Sequence, residues 1–387
     1  MTLPFENDKI LKIKDISCPL FSVCSGCKYQ KEVRNPPVWE EIIRFFKEID
    51  PFLDIELFSK EILEYRSKIK LAVRGSVKEP KIGLFKEGSH EVVDLRSCPL
   101  HFSQMNKAIE DIRFQMERFE IEPYEEEGHL GRLRYLQMLI NQKTLKIQLT
   151  LVWNGSFLKE NELAFVNQLY KLDFYHSIWA NFVAEKTNSI LGENWKLLEG
   201  DEDFYQEIKG ISFHFHPSCF SQVHIAVFEE MIAFVDCLML DGKTLLELYS
   251  GVGCMGVSLA EKAKEVTLIE SSPFAKSSFE KTMQKLPISI QKKCHFLSGF
   301  AEEMSWNDSD VILVDPPRKG LSKKCKERIF QSKAEKIIYV SCGFESFQRD
   351  AKELLDKGWK IESAKGFLLF PGTNHVELIA GFVKTLE

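Results

Sequence analysis

Cys342 follows the apolar run Ile337-Ile338-Tyr339-Val340-Ser341 and precedes Gly343, where a helix can begin. A thiol at a helix amino terminus sits in a field that favours the thiolate, the form in which cysteine attacks carbon. A second set of thiols lies near the start: Cys18, Cys24 and Cys27 stand at C-x5-C-x2-C, with Cys98 far downstream. Short spacing plus a remote fourth thiol suits a four-cysteine metal site, and the spacing leaves zinc and an iron–sulfur cluster both open. The third feature is the turn Gly251-Val252-Gly253-Cys254-Met255-Gly256, with an acid, Glu270, seventeen residues after Gly253. Glycines bring backbone close to a ligand and Glu270 can accept hydrogen bonds from ribose hydroxyls, so a dinucleotide site is one reading of this turn.

These groups need elements to hold them. After about Gly200, apolar strand-like runs recur at Thr244–Leu248, Val266–Ile269, Cys294–Leu297, Val311–Val314 and Lys336–Val340, with intervals that can mostly hold a helix. That alternation predicts a parallel sheet with crossover helices. The last two runs, Trp359–Phe370 and Val376–Val383, are separated by Pro371-Gly372-Thr373-Asn374-His375, too short for a crossover, and should pair antiparallel. Earlier, Ile62 to Val93 and Arg134 to Trp153 alternate and are punctuated by glycine, which predicts a β-rich or α+β region. The expected division is therefore 1–205 and 206–387. In an open α/β sheet, ligands bind at the carboxyl ends of the strands. Glu247 to Gly253, Glu270, Asp315-Pro316-Pro317-Arg318 and Ser341-Cys342 all fall there, so four strands deliver polar groups to one edge.

A parallel sheet closed by such a hairpin resembles the class I S-adenosylmethionine-dependent methyltransferases, a Rossmann-like fold. Glu247, inside the strand end, could meet the ammonium of a methionine moiety, which favours that cofactor over a dinucleotide. More specific motifs follow: Leu246-Glu247-Leu248-Tyr249-Ser250-Gly251, Asp315-Pro316-Pro317-Arg318-Lys319-Gly320, Tyr339-Val340-Ser341-Cys342, and Phe370-Pro371-Gly372-Thr373-Asn374-His375-Val376-Glu377. In this order they resemble the RNA uracil-5 methyltransferases. Upstream, Cys219-Phe220-Ser221-Gln222-Val223-His224 and the stretch from Ile82-Gly83-Leu84-Phe85 to Cys98-Pro99-Leu100 extend the resemblance over nearly the whole chain.

The resemblance implies that Cys342 adds to uracil C6 and that Glu377 is the base, with Gln222, Tyr249, Gly251, Glu270 and Asp315 around the cofactor and uracil. It also implies that Cys18, Cys24, Cys27 and Cys98 hold a [4Fe-4S] cluster in preference to zinc. Only seventeen residues precede Cys18, too few for the amino-terminal β-barrel RNA-binding domain of many relatives. The cluster without that barrel looks most like an enzyme acting on 23S rRNA. A tRNA T-loop methyltransferase and a non-catalytic RNA-binding or assembly factor of the same fold are the competing expectations, with a nicotinamide-dependent oxidoreductase further behind. The chain departs from the family at Gly343-Phe344, where Asn-Pro is usual, and at His224 and Cys254, where Asn is usual.

Composition bounds the rest. The 387 residues allow two or three domains, and the net charge of −6 signals no global field for nucleic acid. The sum hides segregation: Tyr65 to Lys86 carries a local +6, Glu117 to Glu127 a local −5, and Arg318 to Arg328 is again basic. Lys68, Lys70 and Arg74 are the expected RNA contacts. Met1 to Ile10 lacks the pattern of a secretion signal, and Glu229, Glu230 and Asp236 interrupt the most apolar long stretch, so the expectation is a cytoplasmic monomer away from membranes.

Overall fold

The computed structural model describes residues 15–384; the amino-terminal stretch judged above for a secretion signal lies outside them. The chain forms two compact units, each discontinuous in sequence. The first comprises the described residues up to Val33, Glu61–Glu207 and His216–Val223; the second comprises Arg34–Lys60, Ile208–Phe215 and the described residues from His224 onward.

The first unit is built on a seven-stranded sheet, in the order Val92–Asp94, Pro80–Phe85, Lys68–Gly75, Leu133–Ile140, Ile147–Trp153, Tyr175–Phe182, Asn194–Gly200. All neighbours pair antiparallel except Ile147–Trp153 with Tyr175–Phe182, whose parallel pairing needs a crossover. Helix Glu160–Tyr170 supplies it. That helix and Ser103–Arg118 bury Ile109, Ile112, Met116, Phe165 and Leu169 in one core with Ile69, Leu71, Val73, Leu136, Met138, Leu149 and Leu151 of the sheet. Strand side chains alternate between faces, so Lys68, Lys70, Ala72 and Arg74 must lie on the face away from these helices.

In the second unit an eight-stranded sheet runs in the order Glu56–Phe58, Trp359–Phe367, Glu377–Lys384, Lys336–Ser341, Val311–Val314, Thr244–Leu248, Glu265–Glu270, Cys294–Ser298. The five strands from Lys336–Ser341 onward in this order pair parallel, and their apolar runs fit burial on both faces. Glu377–Lys384 inserts antiparallel between Trp359–Phe367 and Lys336–Ser341, the expected terminal hairpin.

One excursion was not visible in the sequence rhythm. Helix Val38–Ile49 and strand Glu56–Phe58 leave the first unit's part of the chain and join the second, the strand pairing parallel with Lys365–Phe367. A single cut near residue 205 does not express this exchange. No helix among the described residues is long and apolar enough to cross a membrane.

Candidate active site

The site follows from strand register. Lys336–Ser341 and Glu377–Lys384 pair antiparallel, and the ladder ends with Ser341 opposite Leu378; Cys342 is the residue just past the end of the first strand, Glu377 is the first residue of the second, and the charge of Glu377 acts on the Cys342 thiol. Asp315 directly follows the neighbouring parallel strand, Val311–Val314, and its charge acts on both groups. Cys342 is half-buried and Glu377 is 7% exposed.

The electrostatics invert one expectation. The Cys342 thiol is pushed up to about 11, first by burial and then by Glu377 and Asp315, while Arg318 pulls it down. Cys342 does precede helix Phe344–Asp356, with Gly343 as its cap. Burial and two acids nevertheless outweigh the helix amino terminus, and the thiol rests protonated. Burial holds Glu377 well above the usual carboxylate range, helped by Asp315 and opposed by Arg318. Asp315 itself rises to about 7 through burial and Glu270. The pocket is short of positive charge and stands ready for a cationic ligand.

The glycine turn is wired to two of the acids. One Glu247 oxygen accepts the Gly256 amide at 2.9 Å, and a Cβ on Gly256 would stand 2.4 Å from that same oxygen, so a side chain there would displace the carboxylate. Burial pushes Glu247 up to about 8, so it braces the turn as much as it could meet an ammonium. Glu270 accepts from the amides of Gly251 (3.0 Å) and Ser272 (2.8 Å). Tyr249, at the strand end, has φ of 63°. A non-glycine residue in this left-handed region stores strain of about 1–3 kcal/mol, of the kind that clusters at ligand sites.

Tyr249, Gly251, Glu270 and Asp315 thus share one edge of the second unit with Cys342 and Glu377, whereas Gln222 belongs to the first unit. There its carbonyl lies 3.1 Å from the Ser67 hydroxyl, which donates to it.

Asp350 escaped the sequence reading. Fully buried, it accepts from the Leu321 amide (2.8 Å), the Tyr339 hydroxyl (2.9 Å) and Lys326 Nζ (3.2 Å), tying the segment after Asp315-Pro316-Pro317-Arg318 to the strand that carries Cys342. The available signal was an acid in the apolar stripe Phe347, Asp350, Ala351, Leu354 of its helix.

In the first unit, Cys18, Cys24, Cys27 and Cys98 line one cavity together with Arg66 and His101. The four thiols act on one another electrostatically; burial raises Cys24, Cys98 and Cys27, the last to about 11, while Arg66 lowers all three. Among the described residues no three His, Cys, Asp or Glu side chains form a group that could hold a metal ion as they stand. The donor chemistry and shared cavity fit a four-thiolate centre.

The basic run is divided by burial: Lys70, Lys78, Lys81 and Lys86 are exposed, whereas Arg66, Lys68 and Arg74 are not. Arg74 is buried, ion-paired with Glu126 and stacked on Phe85, Tyr124 and Tyr135. Lys68 Nζ donates to the Cys219 carbonyl at 2.7 Å, and burial followed by the charge of Lys70 pushes its pKa down to about 7. Of the three expected RNA contacts only Lys70 is exposed.

Parallel strands, a glycine turn wired to two acids and a carboxylate-lined edge define a class I S-adenosylmethionine-dependent methyltransferase. A family model described as tRNA (Uracil-5-)-methyltransferase matches residues 200–383. An RNA methyltransferase of Protochlamydia amoebophila is 36% identical over 95% of this chain and 97% of its own length. One of Fusobacterium nucleatum is 29% identical over 91% of this chain and 77% of its own. The chain is also similar to the Pyrococcus abyssi tRNA (uracil-54, C5)-methyltransferase crystallised with S-adenosyl-L-homocysteine, at 27% identity and a TM-score of 0.77, covering 95% of this chain and 86% of that one. The protein belongs to the S-adenosylmethionine-dependent RNA uracil-5 methyltransferase family.

Proposed function

We propose that this enzyme methylates C5 of a uridine in 23S rRNA, with Cys342 as nucleophile and Glu377 as base. The observation that supports the catalytic assignment is that Cys342 and Glu377 stand at adjoining ends of two paired strands, with the charge of Glu377 acting on Cys342 and that of Asp315 on both. S-adenosylmethionine, when bound, supplies a methyl group on a sulfonium cation; Tyr249, Gly251, Glu270, Asp315 and Gln222 are the residues assigned to cofactor and uracil. Uracil C5 is a poor nucleophile until Cys342 Sγ bonds to C6 and leaves an enolate. After C5 gains its methyl group, Glu377 takes the C5 proton, the C5–C6 double bond re-forms and the Cys342–C6 bond breaks. Both roles need ionised groups, and Arg318 is the cation that favours them. A uridine inside a duplex cannot reach such a pocket, so the target lies in a loop and is flipped out.

The rRNA assignment and the [4Fe-4S] cluster stand together on the four thiols around one cavity in the first unit, which on this reading is the RNA-recognition region. Cys18, Cys24, Cys27 and Cys98 would hold the cluster, whose role is to tie the segment bearing the first three to the sheet bearing the fourth. A monomer in the cytoplasm, where thiols stay reduced, is the setting this implies. Similarity to the Pyrococcus abyssi enzyme favours a second reading, a tRNA uridine as substrate.

Incubation with unmodified 23S rRNA, unmodified tRNA and methyl-labelled S-adenosylmethionine separates the two, with the label mapped to single nucleotides. The proposal expects 5-methyluridine in 23S rRNA; label in tRNA alone transfers the assignment to the second reading. Iron and sulfide analysis of anaerobically purified protein checks the cluster, for which four irons per chain are expected.

A further inference from the structure

Helix Val38–Ile49 and the strand after it sit in the second unit although the chain on either side belongs to the first. The helix is amphipathic and buries Trp39, Ile42, Phe45 and Phe46. Its contacts fall on both arms of the catalytic pair.

Phe45 meets Phe344 edge-on at 5.8 Å between ring centroids and Phe347 at 6.2 Å, and Phe46 meets Phe347 at 5.9 Å. Phe344 is two residues after Cys342 and opens the helix that follows it. It is also one of the positions at which this chain departs from the family's usual Asn-Pro, so the departure has a physical use: an aromatic ring that anchors the turn of the nucleophile to the excursion.

On the other arm, the Val38 amide donates to Asn374 Oδ1 at 2.8 Å. Val38 is the first helical residue, and the cap position before it is Pro37, which gives no side-chain cap. One of the helix's free amides is therefore capped from the far end of the chain. Asn374 is three residues before Glu377, in the short link of the terminal hairpin. A third contact fixes the excursion along that hairpin: Trp39 packs so closely on Gly366 that a Cβ there would stand 2.5 Å from the indole, and the Leu368 amide donates to the Phe58 carbonyl at 2.9 Å.

We propose that helix Val38–Ile49 is a brace that sets the spacing of Cys342 and Glu377, with Phe45–Phe344 positioning the nucleophile's turn and Asn374–Val38 positioning the turn of the base. This rests on the assignment of those two residues as nucleophile and base. It differs from simple core packing in one respect: the two contacts serve different steps. Loss of the Phe344 contact should slow bond formation to uracil C6. Loss of the Asn374 cap should slow proton removal from C5, and with it release of the enzyme from RNA.

The test uses the full-length protein, labelled S-adenosylmethionine and the RNA it methylates, under single-turnover conditions. The covalent enzyme–RNA species is read on denaturing gels and methylated product is read separately. Melting temperatures are recorded for every variant. Asn374→Ala should leave the rate of adduct formation unchanged and slow its resolution about fivefold, the rate equivalent of one lost helix cap. Asn374→Asp, which keeps the acceptor, should restore resolution. Phe344→Ala should slow adduct formation without any build-up. Cys342→Ala and Glu377→Gln run alongside, the first expected to give no adduct and the second to accumulate it. Equal losses in both steps for the Asn374 and Phe344 variants, or wild-type rates in both, overturn the brace while the controls uphold the chemistry. Adduct formed by Cys342→Ala overturns the catalytic assignment and the brace with it.

Discussion

The two sheets treat their charged residues in opposite ways. In the first unit two arginines of the sheet are buried and satisfied: Arg74 is paired with Glu126 and stacked on three aromatic rings, and Arg134 donates to the carbonyls of Val183, Glu185 and Thr187. In the second unit Glu247, Glu270, Asp315 and Glu377 are gathered at one strand edge, and burial together with neighbouring acids pushes Glu247, Asp315 and Glu377 upward. Satisfied charges contribute to stability. Acids crowded with Arg318 as their opposing charge are incompletely balanced, which lowers stability and leaves the site prepared for a cation.

The contrast should show first in a residue that breaks the pattern. Asp350 lies in the second unit but is satisfied like the first unit's buried arginines, so Asp350→Ala should destabilise by about 3 kcal/mol, since it strands the Leu321 amide and the Tyr339 hydroxyl and leaves Lys326 with Glu353 alone. Asp350→Asn, which still accepts from Leu321 and Tyr339, should cost less. Chemical denaturation of the two variants measures the difference. A Asp350→Ala protein as stable as the wild type would remove Asp350 from the account.

A smaller effect is expected from pH. Glu247 rises from 4.5 to about 8 and Asp315 from 3.8 to about 7. Between the ordinary and the raised values the folded protein binds more protons than the unfolded chain, so stability falls as pH climbs through that window. The ligand-free protein should melt roughly several degrees lower at pH 8 than at pH 5, and Glu247→Gln should flatten the slope. A melting temperature that rises over this range would contradict the description of the edge. The first unit's arginines, charged throughout, contribute nothing to the slope.

The smallest effect concerns RNA binding. Lys68→Met should leave the salt dependence of RNA affinity unchanged, because Lys68 is held by Cys219 with a lowered pKa; Lys70→Gln should reduce the slope by about one phosphate contact. Equal slopes for the two variants would show that exposure does not separate these lysines.

The second sheet was readable to within a residue or two at most strand ends, because parallel core strands are continuous apolar runs bounded by turns, and the ends of such strands are where ligand-binding side chains must be. Cys342, Asp315 and Glu270 were placed at that edge in this way. Glu377 came from the family motif, and the terminal hairpin sets it at the strand end adjoining Cys342. The excursion was not readable. Trp39 to Ile49 announces an amphipathic helix, but amphipathicity does not name a partner, and the strand it introduces has three residues, pairing about three hundred positions away. Within the basic run Arg74 misled for a related reason: charge in a sequence is visible, whereas the burial that pairs Arg74 with Glu126 depends on a turn about fifty residues downstream.

The central claim is that Cys342 is the group that bonds to uracil, with Glu377 beside it. It is tested most directly by mass spectrometry of the covalent complex that Glu377→Gln forms with RNA and S-adenosylmethionine. After nuclease and protease digestion, the modified peptide should contain Cys342 and carry a methylated uridine. A uridine on any other cysteine, or no covalent complex in a variant that still binds RNA, would contradict the claim.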